Sequence, residues 1–221
     1  MHIAEGFLPL GHASSWTVVA AGPVLLGVRA LQETRAGASG MRLLFAAAGA
    51  FLFLLSSLKL PSVAGSSSHL TGAGLGALLV GAVPMAALGV LVLVFQALLL
   101  AHGGLTTLGA NTVALAVVGP WVTVGLHSLL HRLGAPSHWR VGLATGLGAL
   151  ATYFCTAGQL ALAFPDATGS HSAAFQRFAA LFAVTQVPLA IVEGAVSAWA
   201  FTLLRDAAGP ELAALAGDAR G

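Results

Sequence analysis

GAGLGALLVGAVPMAALGVLVLVFQALLLA, residues 72–101, decides how many times this chain crosses a membrane. The run exceeds the roughly 20 apolar residues that one helix needs to span a hydrocarbon core. It is therefore either one steep, kinked helix or two helices that turn near Val83-Pro84. Charge placement separates the two. With the turn, seven spans starting from an outer N-terminus put Arg29, Arg35, Arg42, Arg132, Arg140, Arg205 and Arg220 on the cytoplasmic side and leave Lys59 and Arg177 outside. With six spans from the same start, the basic residues divide almost evenly. An excess of Lys and Arg belongs inside, so the sequence predicts seven spans.

The rest of the chain agrees with a membrane setting. Of 221 residues 57% are hydrophobic and 7% charged, and the mean hydropathy is +0.92, far from soluble-domain usage. Other apolar runs cover about 13–28, 43–58, 107–130, 141–164 and 178–204. A formal charge of +2 is too small and too scattered for a nucleic-acid surface. Cys155 is the single cysteine, which excludes an intramolecular disulfide and a thiolate cluster. Residues 1–10 carry no Lys or Arg, so no signal peptide is read there and the start is expected to persist in the mature protein. The 28 glycines recur within spans, as in Gly72-x-Gly74-x-Gly76 and Gly142, Gly146 and Gly148. Small residues let helices approach closely in lipid. No Gly-x4-Gly-Lys-Ser/Thr loop occurs, so the chain has no recognisable ATPase of its own and is expected to be non-catalytic.

The start, MHIAEGFLPL, carries the chemistry. The α-amine of Met1, the backbone nitrogen of His2 and the imidazole Nδ1 of His2 can close two fused chelate rings around one divalent ion. A bulky penultimate His disfavours removal of Met1, which keeps that amine in place. Taken alone, the dipeptide also reads as an ordinary exposed terminus. His69, in the polar loop LKLPSVAGSSSHLTG that opens the third span, falls on the same outer face and supplies a fourth nitrogen for a roughly square plane. It also reads as a helix-start histidine bonded to its own loop. All-nitrogen ligation of that shape suits Ni(II) or Cu(II), and Co(II) also accepts imidazole; Mg, Ca and tetrahedral Zn do not fit. Ser66, Ser67, Ser68 and Thr71 read as hydroxyls that shape the loop or support the ligands.

A second outer island, AHGGLTTLGANT from Ala101, offers His102, Thr106 and Asn111 as braces for the terminal loop, with His102 and Asn111 as possible supporting groups around the ion. Asn111 both donates and accepts, which suits clamping a backbone. Glu193 and Gln186 lie inside the last span, where a carboxylate is costly unless protonated or paired. They read as hydrogen-bonded packing residues beside Pro188, or as a proton relay. His127, His131 and His138 flank Arg132 and Arg140 at a cytoplasmic helix end and read as groups that meet terminal carbonyls or headgroups. His12 and His171 are weak candidates for guiding ions at the outer face.

These motifs resemble the substrate-binding membrane subunits of cobalt energy-coupling-factor transporters, the cobalamin-biosynthesis M family, whose close relatives take up nickel. The resemblance rests on MHIAEGFLPL, LKLPSVAGSSSHLTG, FQALLLAHGGLTTLGAN from Phe95, AVVGP from Ala116 and TQVPLAIVEG from Thr185. It implies seven transmembrane helices with the N-terminal loop tucked into the bundle, and metal held by the Met1 amine, the His2 amide nitrogen and imidazole, and His69. It also implies a transmembrane coupling subunit, paired ATP-binding subunits and a small auxiliary membrane subunit as partners, in a bacterial cytoplasmic (inner) membrane. Two positions depart from the family pattern: Ser67 stands where a Cys is common and Leu70 where a Pro follows the ligand His. Leu70 restores a backbone N–H and loosens the expected loop geometry.

The expected protein is an all-α polytopic membrane bundle of seven helices with an inserted N-terminal metal-binding loop. Its single transmembrane domain, 1–221, divides into the loop (1–12), the bundle (13–204) and a cytoplasmic tail (205–221). It has no resident cofactor; Co(II), or alternatively Ni(II), is cargo. Binding is expected to displace protons from the His2 amide and the Met1 amine, and to weaken in acid. A stand-alone secondary transporter driven through Glu193 and Gln186, and a non-transporting scaffold, are the other readings.

Overall fold

Gly81 takes φ 92° and ψ 155°, a backbone conformation that a Cβ disfavours, and there the long apolar run breaks. The computed structural model, which describes residues 1–34, 39–61 and 66–218, has α3 (Ala73–Val80) before the break and α4 (Ala82–Leu100) after it. The expected turn near Val83-Pro84 is thus displaced toward the N-terminus. Pro84 falls in the first turn of α4, where its missing N–H costs nothing. Arg35 and Arg220, used above in the charge split, lie outside the described residues.

The remaining helices are α1 (Leu10–Thr34), α2 (Ser39–Ser57), α5 (Leu108–Thr112), α6 (Gly119–Arg132), α7 (Ser137–Ala163) and α8 (His171–Asp218). A π-helical turn, Val113–Val118, joins α5 to α6 in one rod. The chain is a polytopic membrane protein: six of these rods are long and apolar enough to cross a membrane. The seventh helix, α3, has only 8 residues and rises about 12 Å, well short of the roughly 30 Å hydrocarbon core. The extended chain from Ser66 to Gly72 adds on the order of 20 Å. The third crossing is therefore half extended and half helical, a form tolerated at membrane depth only where protein surrounds it. Helix α8 continues to Asp218, so the stretch after residue 204 carries on the helix of the last span.

Glycine makes the close packing possible, as its recurrence suggested. A Cβ on Gly148 would lie 2.0 Å from Thr123 Oγ1, and one on Gly194 would lie 2.6 Å from the Gly142 carbonyl. Side chains there would push α6 off α7 and α7 off α8. Just before the π turn, the Ala110 carbonyl of α5 accepts from Gln159 Nε2 of α7 at 3.0 Å.

Three short strands lie at the end of the bundle that holds the N-terminus: β1 (His2–Ile3), β2 (Leu60–Pro61) and β3 (Ser66–Ser68). β3 is central and antiparallel to both neighbours, with His2 opposite Ser67 and Ile3 opposite Ser66. Behind β1, the side chains of Met1, Ile3, Leu8, Tyr153, Leu160 and Phe182 form a dry cluster. Each buried apolar side chain of this size contributes about 1.5–3 kcal/mol, which holds the loop in place.

Candidate metal centre

The pairing of β1 with β3 brings His2 and His69 together. With His2 opposite Ser67, one more step of the same register sets Met1 opposite Ser68, so His69 follows directly beyond the α-amine. The His2 and His69 rings have centroids 4.4 Å apart. His102 completes the group, 4.4 Å from His2 and 4.9 Å from His69. One ring nitrogen from each of the three lies within 4.8 Å of the others, and all three residues are at most 2% exposed. Among the described residues this is the one such histidine group.

Two of the rings are oriented by bonds that leave a nitrogen open. His69 Nδ1 lies 2.7 Å from the Leu70 carbonyl, an acceptor only, so Nδ1 carries the proton and Nε2 keeps its lone pair. His69 Nε2, His102 Nδ1 and both ring nitrogens of His2 are buried without a hydrogen-bond partner. Buried polar atoms are rarely left unpaired, and four in one group mark a place built for something else to bind. The donor set is nitrogen throughout, the chemistry expected for a late first-row divalent ion.

The terminal loop is clamped from the neighbouring island. Asn111 accepts from Ile3 N at 2.8 Å and donates to Ile3 O at 3.0 Å, which reproduces the pairing of an adjacent strand. Thr107 Oγ1 also donates to Ile3 O, at 2.9 Å. Gly6 N donates to Thr106 Oγ1, while Thr106 N donates to the exposed Glu5 carboxylate. Those hydrogen bonds hold Glu5 below the usual carboxylate range. Gly104 lets the two loops touch, since a Cβ there would lie 2.5 Å from Glu5 Cα, and Gly103 takes a left-handed φ of 73° beside it.

Glu193 has a clear structural task. Its carboxylate accepts from Thr71 N at 2.6 Å, from Gly72 N at 3.0 Å and from the Thr71 hydroxyl. It thus sits at the N-terminus of α3, where orphan N–H groups and the helix dipole favour negative charge. Seven residues earlier on α8, Gln186 Nε2 donates to Ser68 Oγ at 2.7 Å, and Thr185 Oγ1 bonds the same hydroxyl at 2.9 Å. Helix α8 therefore grips the chain on both sides of His69. With its oxygens engaged this way, Glu193 reads as a cap rather than a proton carrier.

Burial also sets protonation. It lowers the Met1 amine from 8.0 to about 5, against a small upward pull from Glu193. It lowers His2 well below the ordinary histidine value, helped by the charges of His69, the amine and His102. His102 falls to about 4, first through burial and then through the amine and Lys59. With a value near 5, the buried amine favours the neutral form at pH 7, which bears on the expectation that an arriving ion displaces a proton from it.

Of the sequence candidates, Met1, His2 and His69 converge, and Ser67, Ser68, Thr71 and Asn111 support them. Ser66 pairs with Ile3 in the sheet. His102 stands nearer than a brace, in the group itself. His12 and His171 lie outside that group, and His171 Nδ1 bonds the Ala161 carbonyl. Thr107 was missed although it adjoins Thr106, because nothing in its sequence says which hydroxyl faces Ile3. Glu193 was noticed, but its cap role depends on a half-helix too short for hydropathy to reveal.

Residues 2–212 match the family described as cobalt uptake substrate-specific transmembrane region. A cobalt transport protein CbiM of Acetohalobium arabaticum is 51% identical over 213 residues, which cover 96% of this chain and 84% of that protein. The namesake of Streptomyces coelicolor is 50% identical over 215 residues, covering 97% and 93%. The crystal structure of a truncated transition metal transporter superposes with a TM-score of 0.81 at 24% identity, over 93% of this chain and 99% of that one. That last likeness supports the fold alone.

Proposed function

The chain belongs to the cobalt-uptake substrate-specific transmembrane family, and from that premise we propose that Met1, His2 and His69 capture one Co(II) ion from the outer face of a bacterial cytoplasmic membrane. The subunit is non-catalytic and serves ATP-driven, energy-coupling-factor uptake of cobalt for cobalamin biosynthesis. In the proposed site the Met1 amine, the His2 amide nitrogen and imidazole, and His69 Nε2 are the donors. The observation that carries this is the buried convergence of unpartnered imidazole nitrogens beside the buried Met1.

Capture proceeds by exchange of ligands. The ion gives up water to nitrogens that no other group occupies, and the His2 amide gives up its proton. Asn111 and Thr107 hold the backbone at Ile3, and Glu193 and Gln186 hold the chain around His69, so little ordering is left to the moment of binding. The ion then sits under the loop with no residue assigned to react with it. Energy must come from elsewhere, and the partners are a transmembrane coupling subunit, paired ATP-binding subunits and a small auxiliary membrane subunit. An outer N-terminus and a cytoplasmic C-terminus are supported by an odd number of crossings together with the excess of basic residues on the inner side.

Nickel uptake is the second reading, because four nitrogens in a plane are also a donor set for Ni(II). Calorimetric titration of the purified protein and its His2→Ala variant tests the site. The variant should lose more than the about 100-fold typical of removing a supporting contact, since two donors go together. Parental affinity in the variant would end the chelate.

A further inference from the structure

His102 is the residue that the four-nitrogen reading leaves unused, although its ring stands as close to His2 as the His69 ring does. It reaches the group through a tight exit from α4. Ala101 adopts φ 46°, ψ 46°, a left-handed conformation, and its N–H and that of His102 both return to the Gln96 carbonyl. A non-glycine residue in that region costs of order 1–3 kcal/mol and persists where the surroundings enforce it. Here Lys59 Nζ donates to the carbonyls of Leu100 at 3.1 Å and Ala101 at 3.3 Å, which fastens the turn from outside.

The ring itself is oriented by Ser67, whose Oγ lies 2.7 Å from His102 Nε2. A hydroxyl can accept as well as donate, so Nε2–H donates to Ser67 when Nδ1 keeps its lone pair. His102 Nδ1 is buried and has no partner, and the ring is 2% exposed. One ring nitrogen from each of the three imidazoles lies within 4.8 Å of the others, so a small inward shift brings them to the about 3 Å that separates adjacent donors on bonds of about 2.0–2.1 Å. If the plane is filled by the Met1 amine, the His2 amide and imidazole, and His69, a further donor can approach only from above or below it.

Resting on that site, we propose that His102 Nδ1 is an apical fifth donor, set by Ser67, and that it biases the site toward Co(II) over Ni(II). The reason lies in orbital occupancy. Planar Ni(II) has a filled orbital directed out of the plane, which repels an apical lone pair. Low-spin Co(II) holds a single electron there, so the same lone pair forms a net bond. A strictly planar site favours nickel and copper; one apical imidazole shifts the preference toward cobalt without altering the plane.

The test uses full-length protein in detergent, titrated anaerobically with Co(II) and with Ni(II), and electron paramagnetic resonance of the Co(II)-loaded form. The parent should show a low-spin signal split into three lines by one apical ¹⁴N, converting to two lines when the protein is made with ¹⁵N-histidine. His102→Ala should remove that splitting and weaken Co(II) at least about tenfold more than Ni(II), a difference of about 1.4 kcal/mol. Ser67→Ala should act in the same direction with a smaller effect. Because the labelled parent is read without any substitution, a variant that fails to fold leaves the experiment decisive. A parent signal that lacks apical nitrogen splitting, or equal weakening of both metals in His102→Ala, overturns the assignment. If His2→Ala also binds like the parent, the chelate itself fails; if only the His102 results miss, the planar site stands and the apical donor falls.

Discussion

Two histidine groups sit toward opposite ends of the rod from Leu108 to Arg132, and only one of them presents buried ring nitrogens without partners. His127, His131 and His138 are near one another in sequence, yet His131 and His138 are exposed and His127 is half-buried. Arg140 occupies His131, with Nη1 2.5 Å from Nδ1, and His138 lies beside Trp139 at 5.6 Å between ring centroids. His2, His69 and His102 are scattered along the chain but converge in a dry space with nitrogens unclaimed. Sequence proximity therefore did not build the site. What distinguishes the groups is whether water and neighbouring cations already satisfy the imidazoles.

The strongest way to break that contrast is to leave every histidine in place and remove the amine. Retaining the N-formyl group on Met1 keeps the imidazoles of His2, His69 and His102 but abolishes a donor and the chelate ring. We expect Co(II) affinity to fall by more than about 100-fold in titration of the purified protein. Near-parental affinity would mean that the outer group is a simple imidazole cluster.

Legibility followed the same physical division. The terminal dipeptide stood out because its potential donors are adjacent covalent atoms, and the seven passes were readable because hydropathy and charge act over long windows, although the third is helical for only half its length. The break at Gly81 rather than at Val83-Pro84 was less so, since Pro84 fits the first turn of a helix and the backbone conformation of one glycine leaves no compositional trace. The half-helix α3 hid inside an apolar run, and with it the use of Glu193 as its cap. His102 was seen as a brace because sequence shows that it shares a face with His2 but not that its Nδ1 points into the group. Asn111 was placed correctly as a backbone clamp, since an amide carries a donor and an acceptor side by side, spaced to meet both Ile3 N and Ile3 O.

Acidity sharpens the contrast between a buried and an exposed terminus. An exposed amine with its ordinary value of 8.0 would surrender a proton to the metal at pH 7, whereas this one is lowered to about 5. Binding at pH 7 should therefore release one proton, from the His2 amide, and the number should rise only below about pH 5, when the amine also holds a proton. Calorimetry in buffers of different ionisation enthalpy counts them. The sign for the metal-free loop is the same: a free amine takes a proton below 8.0 and the docked one does not, so docking weakens as pH falls and levels off near pH 5. At about 1.4 kcal/mol per unit this amounts to roughly 4 kcal/mol. Two protons released at pH 7 would show that the terminus is solvated.

A smaller loss is expected where the ligands stay and only their support goes. Asn111→Ala removes both bonds to the Ile3 backbone and strands its N–H, a cost of about 1–3 kcal/mol. Cobalt affinity should fall by about 10–100-fold, the range for contacts that orient a ligand. The His2 and His69 contributions to the Ni(II) absorption spectrum should persist. A spectrum changed in kind would promote Asn111 from clamp to ligand.

The smallest effect belongs to the other histidine group, and it is the control that gives the comparison its meaning. His127→Ala combined with His131→Ala deletes two imidazoles one helical turn apart, the spacing that a sequence scan would choose first for a metal. Their rings are half-buried or exposed, and His131 is already engaged by Arg140. An ion there would have to displace water and approach a guanidinium, with no unpartnered buried nitrogen to receive it. The double variant should bind Co(II) like the parent, and its melting temperature should move by only a few degrees, since exposed substitutions usually stay within about 0.5 kcal/mol. If cobalt affinity instead fell by more than about tenfold with the fold intact, metal would be engaging both ends of the bundle, and burial would no longer explain why one group binds and the other does not.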